Sequence, residues 1–333
     1  MIISIASGVV DSMFGKSQEP IKAFIVSRNE TWEEKSIISE VFKMDSTSNF
    51  AEKYSYETAI EDFEIVGENG NYPEGSFQEG YDKVIYPEEF KRRFKLSQTL
   101  AEDGKVGSIG KSEGAKLTDA WWRTRERFGA KMFTNGISTT MDFGGKTGLN
   151  IACADDLAVF SESHTSITGG TAVQSNLYDL EYTYDNLSYV ETMMQNFTDD
   201  DGNLLNLMPN QIVIENDARL KARVFETLGT EYKPGTADND GSFQFGRWNI
   251  VVWPYLGSPT GITATKAWWF IMDTMWNETY NGAVWLDRID LTIISYIDEN
   301  TDANIWKARG RYGAGFNDWR CFLACIPGLG TAV

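Results

Sequence analysis

One stretch of the chain, residues 112–134, has hydrophobic or small residues every three or four positions, as one face of an α-helix requires. That face consists of Leu117, Trp121, Thr124, Phe128 and Met132. Ser112, or Thr118 about one turn later, can cap its N-terminus. The pattern predicts a long helix over 112–134.

The same helix contains the most concentrated basic group in the sequence. Its members are Arg123, Arg125, Arg127 and Lys131. They fall mostly on the faces away from the hydrophobic positions. Such a group is typical of a solvated helix face, and the alternative is a surface that pairs with acidic segments of a neighbouring molecule.

Alternation of hydrophobic and polar residues in AIEDFEIV (59–66) and KVIYPEEFKRRFKL (83–96) predicts two strands. The segment between them, ENGNYPEGSFQEG (68–80), is rich in turn-forming residues. An isolated two-stranded hairpin is marginally stable in water. We therefore expect this excursion to lie against the rest of the protein or against another copy of it.

Shorter elements precede and follow these two. Residues 30–45 predict a short amphipathic helix in an N-terminal arm, and further helices are predicted in the second half of 175–196 and over 215–229. Apolar strands are predicted at 248–256 and 267–273, and the alternation over 287–327 ends in strands. The chain is therefore expected to contain both helices and strands.

Charge narrows the possible functions. With 30 Lys and Arg against 48 Asp and Glu, the formal charge is -18, which opposes binding to nucleic-acid phosphates and to anionic membranes. No run of about 18 apolar residues predicts a membrane span. Three cysteines make a disulfide framework improbable and fit a reducing compartment.

The only histidine, His164, lies in DDLAVFSESHTSITGG (155–170), where Ser161 and Asp155 suggest a Ser–His–Asp centre. A nucleophilic serine, however, normally lies in a constrained turn between small residues, and a triad is defined by geometry rather than closeness in sequence. An intracellular hydrolase that uses His164 stays the weaker alternative. We expect a packing or hydrogen-bonding role for this residue.

Other motifs are incomplete. GSIGKS (107–112) and FGGKTG (143–148) lack the first glycine of a phosphate-binding loop. TDDDGN (198–203) lacks the first and last ligands of a calcium loop. We expect no metal, no cofactor and no catalytic residue.

The order of segments resembles the major capsid proteins of tailed bacteriophages, and among them the major head subunits of Mu-like phages. The resemblance implies the Hong Kong phage-type fold, which is of the α+β class. The similarity covers about residues 55–327. It is found in an extended hairpin at 72–103, a loop at 156–176 similar to "LFS…H…G…N", a strand and helix at 201–229, the strands NIVVWPYL and AWWFIMD, and the closing strands.

The resemblance implies an N-terminal arm (1–54), an extended E-loop hairpin (55–98) and a peripheral P-domain whose first part (99–175) contains a long spine helix at about 112–134. It further implies an axial A-domain (176–284) and closing P-domain strands (285–333).

The function implied is that of a major capsid subunit, not an enzyme. It would self-assemble into hexamers and pentamers that enclose double-stranded DNA without reading its sequence and without contacting a membrane. Portal protein, scaffold and decoration protein are the implied partners, and assembly in the bacterial cytoplasm yields the virion. A tail or decoration component is the alternative.

Inter-subunit contacts are expected between the acidic E-loop and the basic helix. The candidate residues are Glu74, Glu79, Asp82, Arg123, Arg125, Arg127 and Lys131. Opposite charges on surfaces that meet would select the correct partner surface.

Overall fold

A computed structural model shows how these segments are arranged. It describes residues 2–5, 15–57, 63, 65–68, 70–74, 79–103, 106–166, 173–200, 202–235, 240–259 and 267–329. The described helices are α1 (Gly15–Glu33), α2 (Ile38–Val41), α3 (Gln98–Glu102), α4 (Val106–Thr134), α5 (Tyr184–Gln195), α6 (Ala218–Leu228) and α7 (Thr274–Tyr280). None of them is both long and apolar enough to cross a membrane.

The described strands come mostly in runs between the helices and pair mainly antiparallel, which confirms the α+β class. They are β1 (Ile2–Ile5), β2 (Lys43–Ser46), β3 (Glu52–Glu57), β4 (Glu79–Ile85), β5 (Glu88–Leu96), β6 (Thr140–Phe143), β7 (Lys146–Asn150), β8 (His164–Thr165), β9 (Val173–Gln174), β10 (Leu177–Tyr178), β11 (Gln211–Glu215), β12 (Asn249–Trp253), β13 (Trp269–Met272), β14 (Ala283–Asp298), β15 (Ala303–Phe316) and β16 (Phe322–Cys325).

The first sheet is built on the long antiparallel pair β14 and β15. Its strand order is β1-β14-β15-β5, and β2 also pairs with β14. Side chains alternate between the two faces of a strand, so Trp306 and Tyr312 lie buried on one face while Lys307 and Arg309 are exposed on the other. Among the described residues, the body of the protein covers only the face with Trp306 and Tyr312.

Helix α4 covers the apolar face of the first sheet. Trp121 and Phe128 contact the ring of Tyr312 edge-on, with centroids 5.4 and 5.6 Å apart. Gly310 makes the close approach possible, because a Cβ there would lie 2.2 Å from the Trp121 ring. The long helix is confirmed and begins earlier than expected, at Val106 rather than near 112.

A second sheet, in the order β10-β16-β13-β11-β12, packs against the end of α4. There Phe133 stacks on Phe270 of β13, with centroids 4.9 Å apart. Strand β16 lies within the segment 285–333, which was expected to close the P-domain, yet it pairs with β13 and β10. The chain therefore crosses from the first sheet to the second near its C-terminal end.

The N-terminal segment differs from its prediction. The helix expected over 30–45 is instead α1, at Gly15–Glu33, followed by a turn and the short α2. Helix α1 packs along α4: Ile21 and Ile25 are buried over Gly114. Near its end, Arg28 and Trp32 both bind the carboxylate of Asp119, at 2.7 and 2.6 Å.

The expected hairpin is formed by β3 and β4, which pair antiparallel. The predicted strand 59–66 falls mostly outside the described residues. The predicted strand 83–96 is divided at Tyr86–Pro87, because proline has no N–H for a ladder. Its first part, β4, belongs to the hairpin (residues 52–85), whereas β5 joins the first sheet.

One buried carboxylate joins three parts of the fold. Glu126 of α4 accepts hydrogen bonds from Ser36 Oγ at 2.7 Å and Ile37 N at 3.1 Å in the N-terminal segment, and from Trp253 Nε1 of β12 at 3.0 Å. Burial raises the pKa of Glu126, although these hydrogen bonds oppose the shift.

We expect Glu126→Ala to lower the free energy of unfolding by about 3 kcal/mol, because it leaves buried donors without an acceptor. Glu126→Gln keeps one acceptor oxygen and removes the buried charge, so its loss should be smaller. Urea unfolding at pH 7 measures both.

A comparison of wild type with Glu126→Gln also tests the raised pKa. The pKa of Glu126 is raised in the folded wild type, whereas in the unfolded chain it has its ordinary value of 4.5. At pH values above 4.5 the folded protein therefore binds more protons at Glu126 than the unfolded chain does. Wild type should therefore gain stability relative to Glu126→Gln as the pH falls from 7 towards 5. A difference that does not change with pH would contradict this.

Candidate functional site

His164 lies in a closed polar network beside the second sheet. Its ring is 1% exposed and stacks on Trp319, with centroids 4.1 Å apart. Nδ1 lies 2.6 Å from a carboxylate oxygen of Asp155, and Nε2 lies 3.3 Å from Oδ1 of Asn176. Each ring nitrogen thus faces an oxygen atom of a buried polar side chain.

Asn176 explains why the network is closed. Its amide nitrogen donates to the carbonyl oxygens of Val159 and Phe322, at 2.7 and 3.1 Å, which fixes Oδ1 towards His164. The hydroxyl of Ser161 instead accepts from Ser163 N. The histidine nitrogen that would take a serine proton therefore faces an amide. The structure does not assemble the Ser–His–Asp centre, and it confirms a packing and hydrogen-bonding role for His164.

The other incomplete motifs also have structural roles. Gly110, Lys111 and Ser112 lie within α4, and Lys146 follows a hairpin turn and pairs with Glu88 at 2.5 Å. In the turn at 198–203, Asp199 accepts from the backbone and side chain of Asn203. Among the described residues, no group of three or more His, Cys, Asp or Glu side chains is placed to hold a metal ion.

The hairpin presents apolar residues to solvent at its outer end. Phe63, Ile65 and Tyr72 are fully or almost fully exposed, and Glu74 beside them is exposed as well. Further in, the backbone of Glu79 pairs with Glu57, and Asp82 pairs with Lys53 of the same chain at 2.8 Å. The outer end of the hairpin thus has no covering from the described part of the protein.

The four basic residues of α4 do not all lie at the surface. Arg123 and Arg127 are exposed, and Lys131 donates to the carbonyl oxygen of Asp142 at 2.5 Å. Arg125 is the exception to the expected group. It is 7% exposed and makes two bonds to the Asp287 carboxylate, at 2.7 and 2.9 Å.

Aromatic rings complete the enclosure of Arg125. Its guanidinium lies 5.0 Å from the ring centroid of Trp285 and 5.1 Å from that of Tyr312. The expectation that Arg125 contacts another subunit is therefore wrong for the folded chain, because its charge is already neutralised in the interior by Asp287 and the rings.

A larger basic surface lies on the outer face of the first sheet. Its cations are Lys91, Arg93, Lys95, Lys307, Arg309 and Arg311. In the register of β15 and β5, Lys307 is opposite Arg93 and Arg309 is opposite Lys91, so the side chains share one face. The sequence contains the signal, a basic residue at every second position in both strands, but only the pairing of the strands joins the two rows.

A family model matches the sequence, and solved structures share the fold. The sequence matches the family described as phage capsid protein over residues 80–325. The fold is similar to the capsid of an empty GTA particle, with a TM-score of 0.52 and 12% identity over 87% of this chain and 89% of that one. It is also similar to the capsid of Ralstonia phage GP4, with a TM-score of 0.52 and 10% identity over 88% and 87%. No curated protein sequence matches significantly.

Arg125 and Arg127 should respond differently to substitution. Arg125→Met removes a buried guanidinium and leaves the half-buried Asp287 carboxylate without its partner, so it should lower the free energy of unfolding by about 3 kcal/mol. Arg127→Met, at an exposed position of the same helix, should change it by less than about 0.5 kcal/mol. Thermal and urea unfolding of both variants measure this, and equal losses would show that Arg125 is not buried as described.

Proposed function

The chain belongs to the phage capsid protein family and is a structural subunit of a capsid shell, and on that premise we propose that its copies tile the shell as hexamers and pentamers. Such tiling needs contacts in which one patch of a subunit meets a different patch of the next. The observation that supports this most directly is the hairpin, whose outer end exposes Phe63, Ile65 and Tyr72. Exposed apolar groups of this kind mark a protein contact.

The charge of the hairpin indicates what kind of surface it contacts on the neighbouring copy. The hairpin segment 54–82 contains eight acidic residues and no Lys or Arg. We propose that Glu74 and Glu79 contact a basic surface of the neighbouring copy. Asp82 is the weaker candidate of the three, because it already pairs with Lys53.

Two basic surfaces can receive the hairpin. One is formed by Arg123, Arg127 and Lys131 on α4, and the other is the outer face of the first sheet. The sheet presents six cations on one face. Glu89, on the same face, contacts Lys91 at 2.8 Å and Arg309 at 4.0 Å. One carboxylate cannot neutralise six cations, so this face of the sheet keeps most of its positive charge. On charge alone the sheet is the stronger candidate.

The proposed shell is a container, and a container needs contents and further proteins to complete it. We propose that the shell is assembled in the bacterial cytoplasm, encloses double-stranded DNA, and is joined by portal, scaffold and decoration proteins. A chain charge of -18 suits a lining along which DNA phosphates move without specific binding.

Assembly of the purified protein into particles tests the proposal. Glu74→Lys/Glu79→Lys should lower the yield of particles, seen by electron microscopy and sedimentation, by about tenfold or more, because like charges then meet at the contact. Glu74→Gln/Glu79→Gln is the matched neutral variant and should lie between this and wild type. Unfolding of the free subunit should be unchanged in both.

Charge exchange then identifies the receiving surface. Lys307→Glu/Arg309→Glu should restore assembly of the doubly lysine-substituted hairpin if the sheet receives it, and Arg123→Glu/Arg127→Glu should do so if α4 does. Wild-type particle yields from the hairpin reversal alone would refute the electrostatic contact.

A further inference from the structure

The base of the hairpin contains an irregularity at Tyr56. Ser55 is opposite Asp82 and Glu57 is opposite Glu79, with a shift of register between the two pairs. Tyr56 lies across the hairpin from Gly80, where an added Cβ would meet the ring at 2.5 Å and Tyr56 O at 2.7 Å. A bulge and a glycine together therefore allow the Tyr56 ring to lie where it does.

The Tyr56 side chain reaches the body of the protein. Its hydroxyl donates to Oδ2 of Asp200 at 2.7 Å, in the turn that follows α5. The guanidinium of Arg320 lies 5.0 Å from the Tyr56 ring centroid and 3.4 Å from the other oxygen of Asp200. Burial raises the pKa of Tyr56, although the Arg320 cation opposes the shift, so the hydroxyl remains a donor.

These partners are themselves held firmly. Arg320 also pairs with Asp318 at 3.3 Å and lies 5.2 Å from the ring centroid of Trp319. Trp319 in turn stacks on His164, which binds Asp155. The closed network around the single histidine is thus the support on which the Tyr56 contact rests.

The return strand of the hairpin is tied down separately. Lys83 is buried, and its ammonium donates to the carbonyl oxygen of Ala152 at 2.6 Å and to Asn150 Oδ1 at 3.0 Å. On the outgoing strand, Tyr54 also donates to Asp45 at 2.7 Å. Both strands are therefore anchored at the base, and the anchors end near Tyr56 and Gly80.

We propose that Tyr56 is a positioning residue that locks the base of the hairpin to the Asp200–Arg320 pair, so that a subunit presents the hairpin at a fixed angle before it meets a neighbour. The use of that angle rests on the proposed shell contact. The lock itself is a property of the single chain and can be measured without any shell.

Hydrogen exchange of the unassembled full chain tests the lock. Tyr56→Phe removes only the hydroxyl, and a hydrogen bond to a buried carboxylate corresponds to roughly 10- to 100-fold in local opening. Amides of 52–57 and 79–85 should exchange faster by that factor, while those of 211–215 and 269–272 keep wild-type rates. Tyr72→Phe, at the exposed end of the hairpin, is the matched control and should leave all four segments unchanged.

A second variant reaches the same contact through different atoms. Gly80→Ala displaces the Tyr56 ring but keeps every polar group, so it should accelerate exchange in the same two segments. Since Tyr56→Phe acts only through the contact that Gly80→Ala already disturbs, the double variant should open little more than Gly80→Ala alone. Unchanged rates in Tyr56→Phe, acceleration spread over the whole protein, or fully additive effects in the double variant would each overturn the lock.

The assembly assay separates this inference from the proposed function. If exchange responds as expected but no variant alters particle yield, the lock stands and the hairpin contact fails. If Tyr56→Phe shows wild-type exchange, the lock fails whatever the particles do.

Discussion

The whole fold depends on the burial of the C-terminal end of α4 among aromatic side chains from every other part of the chain. Phe133 contacts Phe42 of the N-terminal segment, Phe316 of the first sheet and Phe270 of the second, with centroids 4.9 to 5.4 Å apart. Glu126, two turns earlier, makes a similar connection through hydrogen bonds, because it joins the N-terminal segment to Trp253. The helix thus sets the relative position of both sheets.

Position on that helix decides what each charge does. Arg125 faces the core and is neutralised by Asp287, whereas Arg127 faces solvent and keeps its charge available. Neutralisation inside the core stabilises one subunit, and free charge outside it can act only between subunits. The same distinction separates the buried Lys83 from the cations on the outer face of the first sheet, five of which are exposed while Arg311 is half-buried. For a capsid subunit, both kinds of charge are needed, one for the monomer and one for the shell.

The hairpin shows the same division within a single element. Its base is bonded to the body through Tyr56 and Lys83, and its outer end exposes apolar and acidic side chains that the described chain does not cover. A segment anchored at one end and uncovered at the other is incomplete as part of a monomer. Exposed apolar side chains of this kind mark a contact with another molecule, and the proposed contact between neighbouring subunits would cover them.

The sequence by itself determined the presence of both helices and strands, the long helix through 112–134, the presence of a long hairpin and the absence of a complete catalytic motif, because each depends on local periodicity or local spacing. It misplaced the first helix, since the apolar residues of 30–45 are divided between the end of α1 and the following turn and α2. Tertiary structure alone decided that Arg125 is internal, that β16 joins the second sheet, and that Tyr56 meets Asp200 and Arg320. Asp200 and Arg320 are 120 residues apart in the sequence, and Arg125 and Asp287 are 162 residues apart. No local pattern indicates which of the distant side chains will lie opposite.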